Sequence, residues 1–223
     1  MISVVVRTRN EAVWIERCLR AVSLQSYPDF EVVVVDNTST DGTRDIVAQF
    51  DVRLVSITDA DFTFGRALNR GIAASRGDLL ALLSGHCIPA TERWLDRLAL
   101  AMAGPGVAGA YGRQEPLPDS NDFDKRDLWT TFGLDRRVQT RDYFFHNANS
   151  IIRRDVWETV PFNEDIYGVE DREWARRVLE RGFRVVYEPA ATVFHHHGIH
   201  QGRDEQRAAR VARVIELMEK GEM

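Results

Sequence analysis

Residues 32–43 read Val-Val-Val-Val-Asp-Asn-Thr-Ser-Thr-Asp-Gly-Thr, and the fold turns on them. Consecutive β-branched residues cannot alternate between core and solvent, so residues 30–35 read as a strand buried on both faces. The run stops at Asp36-Asn37. Ser39, Thr40, Asp41 and Gly42 make a polar turn, and a helix is predicted over about 43–50. Strand, polar turn and helix form half of a βαβ unit, the building block of a parallel sheet flanked by helices.

The pattern repeats outward from there. Upstream, residues 2–6 are a second buried strand, and Ile15, Cys18, Leu19 and Val22 recur at helical spacing. Downstream come a short strand at 52–57, a helix at 64–75 stopped by Gly77, and a strand at 79–83 after Asp78. Thr91 is placed to cap a helix that carries Trp94, Leu95, Leu98 and Met102. Strands at 106–113 and 144–152 follow, with a polar stretch at 116–142 between them that reads as a lid or binding loop. A helix at 170–181 presents Trp174, Ala175, Val178 and Leu179 inward and ends at Gly182. Short strands are expected at 184–187 and 192–195, and a last helix carries Ala208, Val211, Ala212 and Ile215. The expectation is one α/β domain over 1–223, an α/β/α sandwich with a mixed, mainly parallel sheet.

Composition narrows the function classes. The chain has 223 residues, a formal net charge of −5 and 44% hydrophobic residues. A mildly acidic globular protein has no electrostatic affinity for a phosphate backbone, so nucleic acid is not an expected partner. Two cysteines, Cys18 and Cys87, give no disulfide framework and suit a reducing cytoplasm. The strand pattern beginning at residue 2 leaves no room for a signal peptide ahead of the fold, and no apolar run approaches a membrane span. A cytoplasmic protein is expected, with peripheral contact at the inner membrane left open.

In a parallel α/β sheet, ligands bind beyond the carboxyl ends of the strands. Four polar clusters fall at such ends: Thr8-Arg9-Asn10-Glu11, residues 36–42, Ser84-Gly85-His86, and the turn at 168–171. One cleft would therefore gather carboxylates, amides, an imidazole and guanidinium groups.

The run at 32–43, preceded by Thr-Arg-Asn-Glu at 8–11, resembles the opening of the inverting family-2 glycosyltransferases. The resemblance continues through Asn69-Arg70-Gly71, Gly77-Asp78, Glu170-Asp171 and the region of Arg177, and covers nearly the whole chain. It implies a GT-A fold with a Rossmann-like half over 1–113 for a nucleotide-sugar donor. Residues 114–223, with the C-terminal helix, would form the acceptor half. The reaction implied moves a sugar to an acceptor hydroxyl on a glycan, a lipid-linked saccharide or another compound, commonly in surface polysaccharide or glycoconjugate synthesis. Thr8, Arg9, Asn10 and Glu11 match the loop that lines the nucleotide site, with Asn37, Arg66, Asn69, Arg70, Ser84 and His86 also on the donor side. Asp36 matches the carboxylate that accepts from the base. Asp41 is either a second such group or the cap of the following helix. Glu170-Asp171 matches the acidic pair that supplies the catalytic base, with Asp171 the expected base.

One motif departs from the family. Where the family carries Asp-x-Asp, holding a divalent metal at the donor diphosphate, this chain has Ser84-Gly85-His86. His86 with His195 or His197 can form a reduced site for Mn2+ or Mg2+, imidazole favouring the former. His86 can equally hydrogen-bond the diphosphate itself beside Arg66 or Arg70. The same departure admits a transferase-like module that binds nucleotide or glycan without catalysis. His146, Asn147, Asn149 and Trp174 are acceptor-side candidates, the amides suited to hydroxyls. Trp129, Phe132, Tyr143 and Phe144 read as packing residues or as sugar-stacking faces.

Overall fold

The computed structural model of the protein describes residues 1–198 and 205–220. Residues 199–204 and 221–223 lie outside the described residues. The β-branched run sits in β2 (Phe30–Asn37), which pairs in parallel with β1 (Ile2–Thr8) and with β3 (Arg53–Ile57). β4 (Leu79–Ser84) joins the other side of β1, also in parallel. The registers match Thr8 with Asp36 and Arg7 with Ser84, so the polar ends of three strands arrive side by side.

Beyond β4 the sheet becomes mixed. β8 (Asn149–Arg153) runs antiparallel to β4 and to β6 (Val107–Pro116), and β6 runs parallel to β9 (Arg184–His195). β9 also takes β5 (Cys87–Pro89) and β7 (Arg137–Gln139), both antiparallel.

Helices cover both faces. Ile2, Val4 and Val6 point to one core, shared with α1 (Ile15–Ser23), α2 (Thr43–Val47) and α4 (Trp94–Ala101). Val5, Val35, Leu80 and Leu82 point to the other, shared with α3 (Phe64–Ala73), α5 (Asp122–Thr131), α6 (Arg154–Thr159) and α7 (Glu170–Glu180). Each fully buried valine contributes roughly 1.5–3 kcal/mol, which is why unbroken valine runs mark these strands. α3 lies so close to the sheet that a Cβ on Gly71 would meet Val5 Cγ1 at 2.5 Å and Val35 Cγ2 at 2.6 Å. α8 (Glu205–Lys220) ends the described chain.

Several sequence expectations need correction. The stretch 116–142 is no plain loop: it contains α5, capped by Asn121, whose side chain accepts from the amides of Phe123 and Asp124, and then β7. α5 buries only Asp124 and Leu128 through that face, so no apolar stripe announced it. The two short strands at 184–187 and 192–195 are one strand, β9. Pro189 lacks an amide hydrogen, and the pairing with β6 jumps from Gly112↔Glu188 to Gln114↔Val193, so no ladder bond is asked of it. The strand predicted at 144–152 begins only at Asn149, after a turn closed by the Asn149 amide on the His146 carbonyl at 3.2 Å. α4 is entered through Arg93, with Thr91 Oγ1 accepting from the Arg93 amide at 3.3 Å.

Candidate active site

A cavity of about 1000 Å³ opens where β1 and β4 end. Arg7, Thr8, Ser84 and His86 form its floor, and Glu170 and Asp171 come from the start of α7. Val211, Ala212 and Ile215 of α8 close a further wall.

The first end is a cluster of imidazoles. His86 sits in the tight turn between β4 and β5, and β5 pairs Cys87 with His195, which carries the last residue of β9 to the same place. His86 Nε2 lies 3.1 Å from His195 Nε2, and the two rings are stacked with centroids 5.0 Å apart. The His197 ring is 4.7 Å from that of His86 and 4.6 Å from that of His195. The other nitrogen of His86, Nδ1, meets Glu11 Oε1 at 2.6 Å. Burial, and then the neighbouring imidazoles, hold His195 well below the usual histidine range, so it is neutral. Cys87, with His86 and His195, completes a set of donor atoms lying within 4.8 Å of one another. Burial keeps its thiol far above the usual range, and it belongs to the apolar core beneath the cluster.

The second end is the acid pair. Gly168, at φ +89°, turns the chain into α7, whose first two residues are Glu170 and Asp171. Glu170 is buried, 4.0 Å from Arg7 Nη1. Desolvation, and then the charge of Asp171, raise its carboxyl to about 7 against the pull of Arg7. Asp171 reaches the cavity and accepts from the amides of Asn147 at 3.3 Å and Arg172 at 2.8 Å. Its carboxyl is also raised by desolvation, while Arg172 and these hydrogen bonds act in the opposite direction. Two adjacent carboxyls held above their ordinary range in a cleft are groups poised to accept a proton.

The remaining candidates divide. Thr8, Arg9, Glu11, Ser84, His86, His146, Glu170, Asp171, His195 and His197 all line the cavity. Asp36 lies fully buried at the end of β2, its Oδ2 accepting from the Ser39 amide at 3.1 Å and its Oδ1 without a partner. Asn37 Nδ2 is likewise buried and unpartnered beside it. Asn10, at φ +52°, accepts from the Thr40 amide, and Asp41 accepts from the amides of Ala12 and Thr43 and the Thr43 hydroxyl at 2.6 Å. Asp41 thus fastens the 9–12 loop to the start of α2. Burial works against its charge, and the bonds from Thr43 and Ala12 more than offset it, leaving the carboxyl below its usual range.

Arg66, Asn69 and Arg70 are not in the cavity lining. Asn69 Oδ1 accepts from Trp157 Nε1 at 2.8 Å, and its amide donates to the Phe162 carbonyl and Glu164. Arg66 pairs with Glu164 at 3.1 Å and Arg70 with Asp61 at 3.7 Å, so this face of α3 ties down neighbouring segments. Trp174 is a correction: it is fully buried in the second core, its indole donating to the Val160 carbonyl, and has no surface for an acceptor. Asn149 is another: it is fully buried, accepting from Trp94 Nε1 and donating to the carbonyls of Arg113 and Ala191. Asn147 is buried next to Glu170 and accepts from the Ser150 hydroxyl, so it shapes the acid pair from beneath. Of the aromatics, Phe132 is core, and Trp129 is exposed with its indole on Glu115 at 2.9 Å.

Arg7 escaped the sequence reading. Its guanidinium lies 4.9 Å over the Phe64 ring and beside Glu170. The signal was there: a cation at the end of an otherwise apolar buried strand needs a partner. The α8 wall carried no signal, since an amphipathic helix does not state what it covers.

Residues 3–160 match the family model for Glycosyl transferase family 2. The chain belongs to that family. Glycosyltransferase AglE of Haloferax volcanii is 33% identical over 195 residues, 83% of this chain and 64% of that protein. The O-antigen chain rhamnosyltransferase WbaN of Salmonella anatum is 25% identical over 198 residues, 84% of this chain and 63% of its own length. The chain thus spans a little under two thirds of these two relatives. The fold is GT-A: the mannosyltransferase PcManGT from Pyrobaculum calidifontis, solved with GDP-Man and Mn2+, superposes with a TM-score of 0.69 at 24% identity, over 86% of this chain and 56% of that one. GalNAc-T7, solved with UDP, GalNAc and Mn2+, gives 0.71 at 15% identity, over 89% of this chain and 44% of that one. Among the described residues, no helix is long and apolar enough to cross a membrane.

Proposed function

We propose that the chain catalyses inverting transfer of a sugar from a nucleoside-diphosphate sugar to an acceptor hydroxyl, with Asp171 as the general base. The observation that carries this reading is the sharing of one cavity by a raised carboxyl pair and an imidazole cluster, at the carboxyl ends of parallel strands. Family membership and the relatives' printed activities support it. The nucleotide lies on the 1–113 half, where Thr8, Arg9 and Glu11 line the cavity beside Ser84 and His86. The acceptor enters over the 114–223 half, between α7 and α8. It is a glycan, a lipid-linked saccharide or another hydroxyl compound, met at the inner membrane surface where it is lipid-linked.

Asp171 takes the proton of the attacking hydroxyl. Glu170 stays beneath it, its carboxyl raised by burial and then by the charge of Asp171. Arg7 holds positive charge against Glu170, so that the pair can ionise together. His86 and His195 would hold a divalent cation through their Nε2 atoms, which lie 3.1 Å apart at the cavity. An ion held there, Mn2+ in preference to Mg2+, would supply positive charge to the departing diphosphate.

Asp171→Asn tests the assignment. Donor affinity should hold while kcat falls by about 10^2–10^4-fold, and the wild-type product should show inverted anomeric configuration by proton NMR. Unchanged turnover in the variant removes Asp171 as base, and a retained configuration removes the direct displacement. Tight nucleotide binding without any turnover in the wild type would identify a binding module instead.

A further inference from the structure

The chain lacks the carboxylates of an Asp-x-Asp motif, yet a carboxylate does reach the imidazole cluster, from a different loop. Glu11 follows β1, and its backbone is fixed on both sides. Its amide donates to Thr43 Oγ1 at 2.8 Å, and its carbonyl accepts from the amides of Trp14 and Ile15 at 2.8 Å each. Its Oε1 lies 2.6 Å from His86 Nδ1, and both side chains are mostly buried. An ionised carboxylate only accepts hydrogen bonds, so the proton of a neutral His86 must sit on Nδ1. Nε2 then carries a lone pair, and the ring orientation delivers it toward His195 Nε2 and the cavity. His195 has no comparable support, because its Nδ1 is buried without a partner.

We infer that Glu11 is a positioning residue: it fixes the tautomer and the aim of His86, and brings to the cluster the negative charge that Ser84 does not supply. This rests on the reading of the cluster as a cation site given above. A carboxylate behind a ligating histidine raises its basicity, and removing such a partner costs about 10–100-fold in metal affinity. The loop at 8–11 would then serve the diphosphate end of the donor through His86, in addition to lining the nucleotide.

The test separates this role from the cation itself. Long-range proton–nitrogen correlation spectra of histidine-labelled protein, recorded without metal, should show the His86 Nδ1–H tautomer in the wild type. Glu11→Ala should return His86 to the Nε2–H form that free imidazole side chains favour. Mn2+ titration followed by electron paramagnetic resonance should then give 10–100-fold weaker binding in the variant, with His86→Ala as the reference for loss of the site. If Glu11→Ala melts early, Glu11→Gln, which can offer either a donor or an acceptor, should still lose the tautomer preference and several-fold in Mn2+ affinity. An Nε2–H tautomer in the wild type, or an unchanged tautomer and Mn2+ affinity in both variants, overturns the role of Glu11. An intact Nδ1–H tautomer in a wild type that binds no Mn2+ upholds the lock and removes the cation reading instead.

Discussion

Glu170→Gln should stabilise the protein at pH 8 much more than at pH 5. Glu170 is almost fully buried, and its carboxyl rises from an ordinary 4.5 to about 7, chiefly through desolvation. A raised folded-state value means that the native state holds the proton more tightly than the unfolded chain. Its contribution to stability is therefore fully present below about 4.5 and is lost as pH rises through 7. A rise of this size corresponds to roughly 3 kcal/mol at about 1.4 kcal/mol per unit, of which about 2 kcal/mol falls between pH 5 and pH 8. Glutamine cannot ionise and is spared that loss. Urea unfolding of both proteins at half-unit pH steps measures it. The difference should open by about 2 kcal/mol toward pH 8 and level off above it. Parallel curves from pH 5 to pH 8 would refute the assignment of Glu170 as a desolvated carboxyl.

The acid limb of kcat/KM reports loss of the proton from Asp171, whose carboxyl Arg7 pulls down. Arg7→Met keeps the contact with Phe64 and removes the cation beside Glu170; the limb should move to higher pH, read from the same profile. Trp174→Ala should cost about 3–5 kcal/mol in urea unfolding, as for large core truncations, and leave the acceptor KM of the folded fraction unchanged. A raised acceptor KM with little loss of stability would return Trp174 to the acceptor site.

The parallel half of the fold was legible because its signal is local. Valine runs in β1 and β2, each ending in polar residues, define strand, face and site edge together. The imidazole cluster was legible in its members, since His86 was expected beside His195 or His197 from the family resemblance, whereas the β5–β9 pairing that joins these distant segments has no sequence signature. Trp174 and Asn149 were misplaced because a residue beside a catalytic motif reads the same whether it faces the cleft or the core. Their indole and amide are satisfied internally, by Val160 on one side and Trp94 on the other, which only the packed structure reveals. Glu11 stood in a strand-end motif and Arg7 just ahead of it, but each acts on a partner from another segment, His86 and Glu170.

The central claim is that one cavity binds a nucleoside diphosphate at its imidazole end. The most direct measurement is thermal unfolding with a panel of nucleoside diphosphates, each with Mn2+ and with EDTA, for the wild type and His86→Ala. One nucleotide at about 100 times its Kd should stabilise the wild type by about 2.7 kcal/mol, a shift of several degrees, with Mn2+ and not with EDTA, and the variant should lose it. No shift with any nucleotide in either condition would contradict the account.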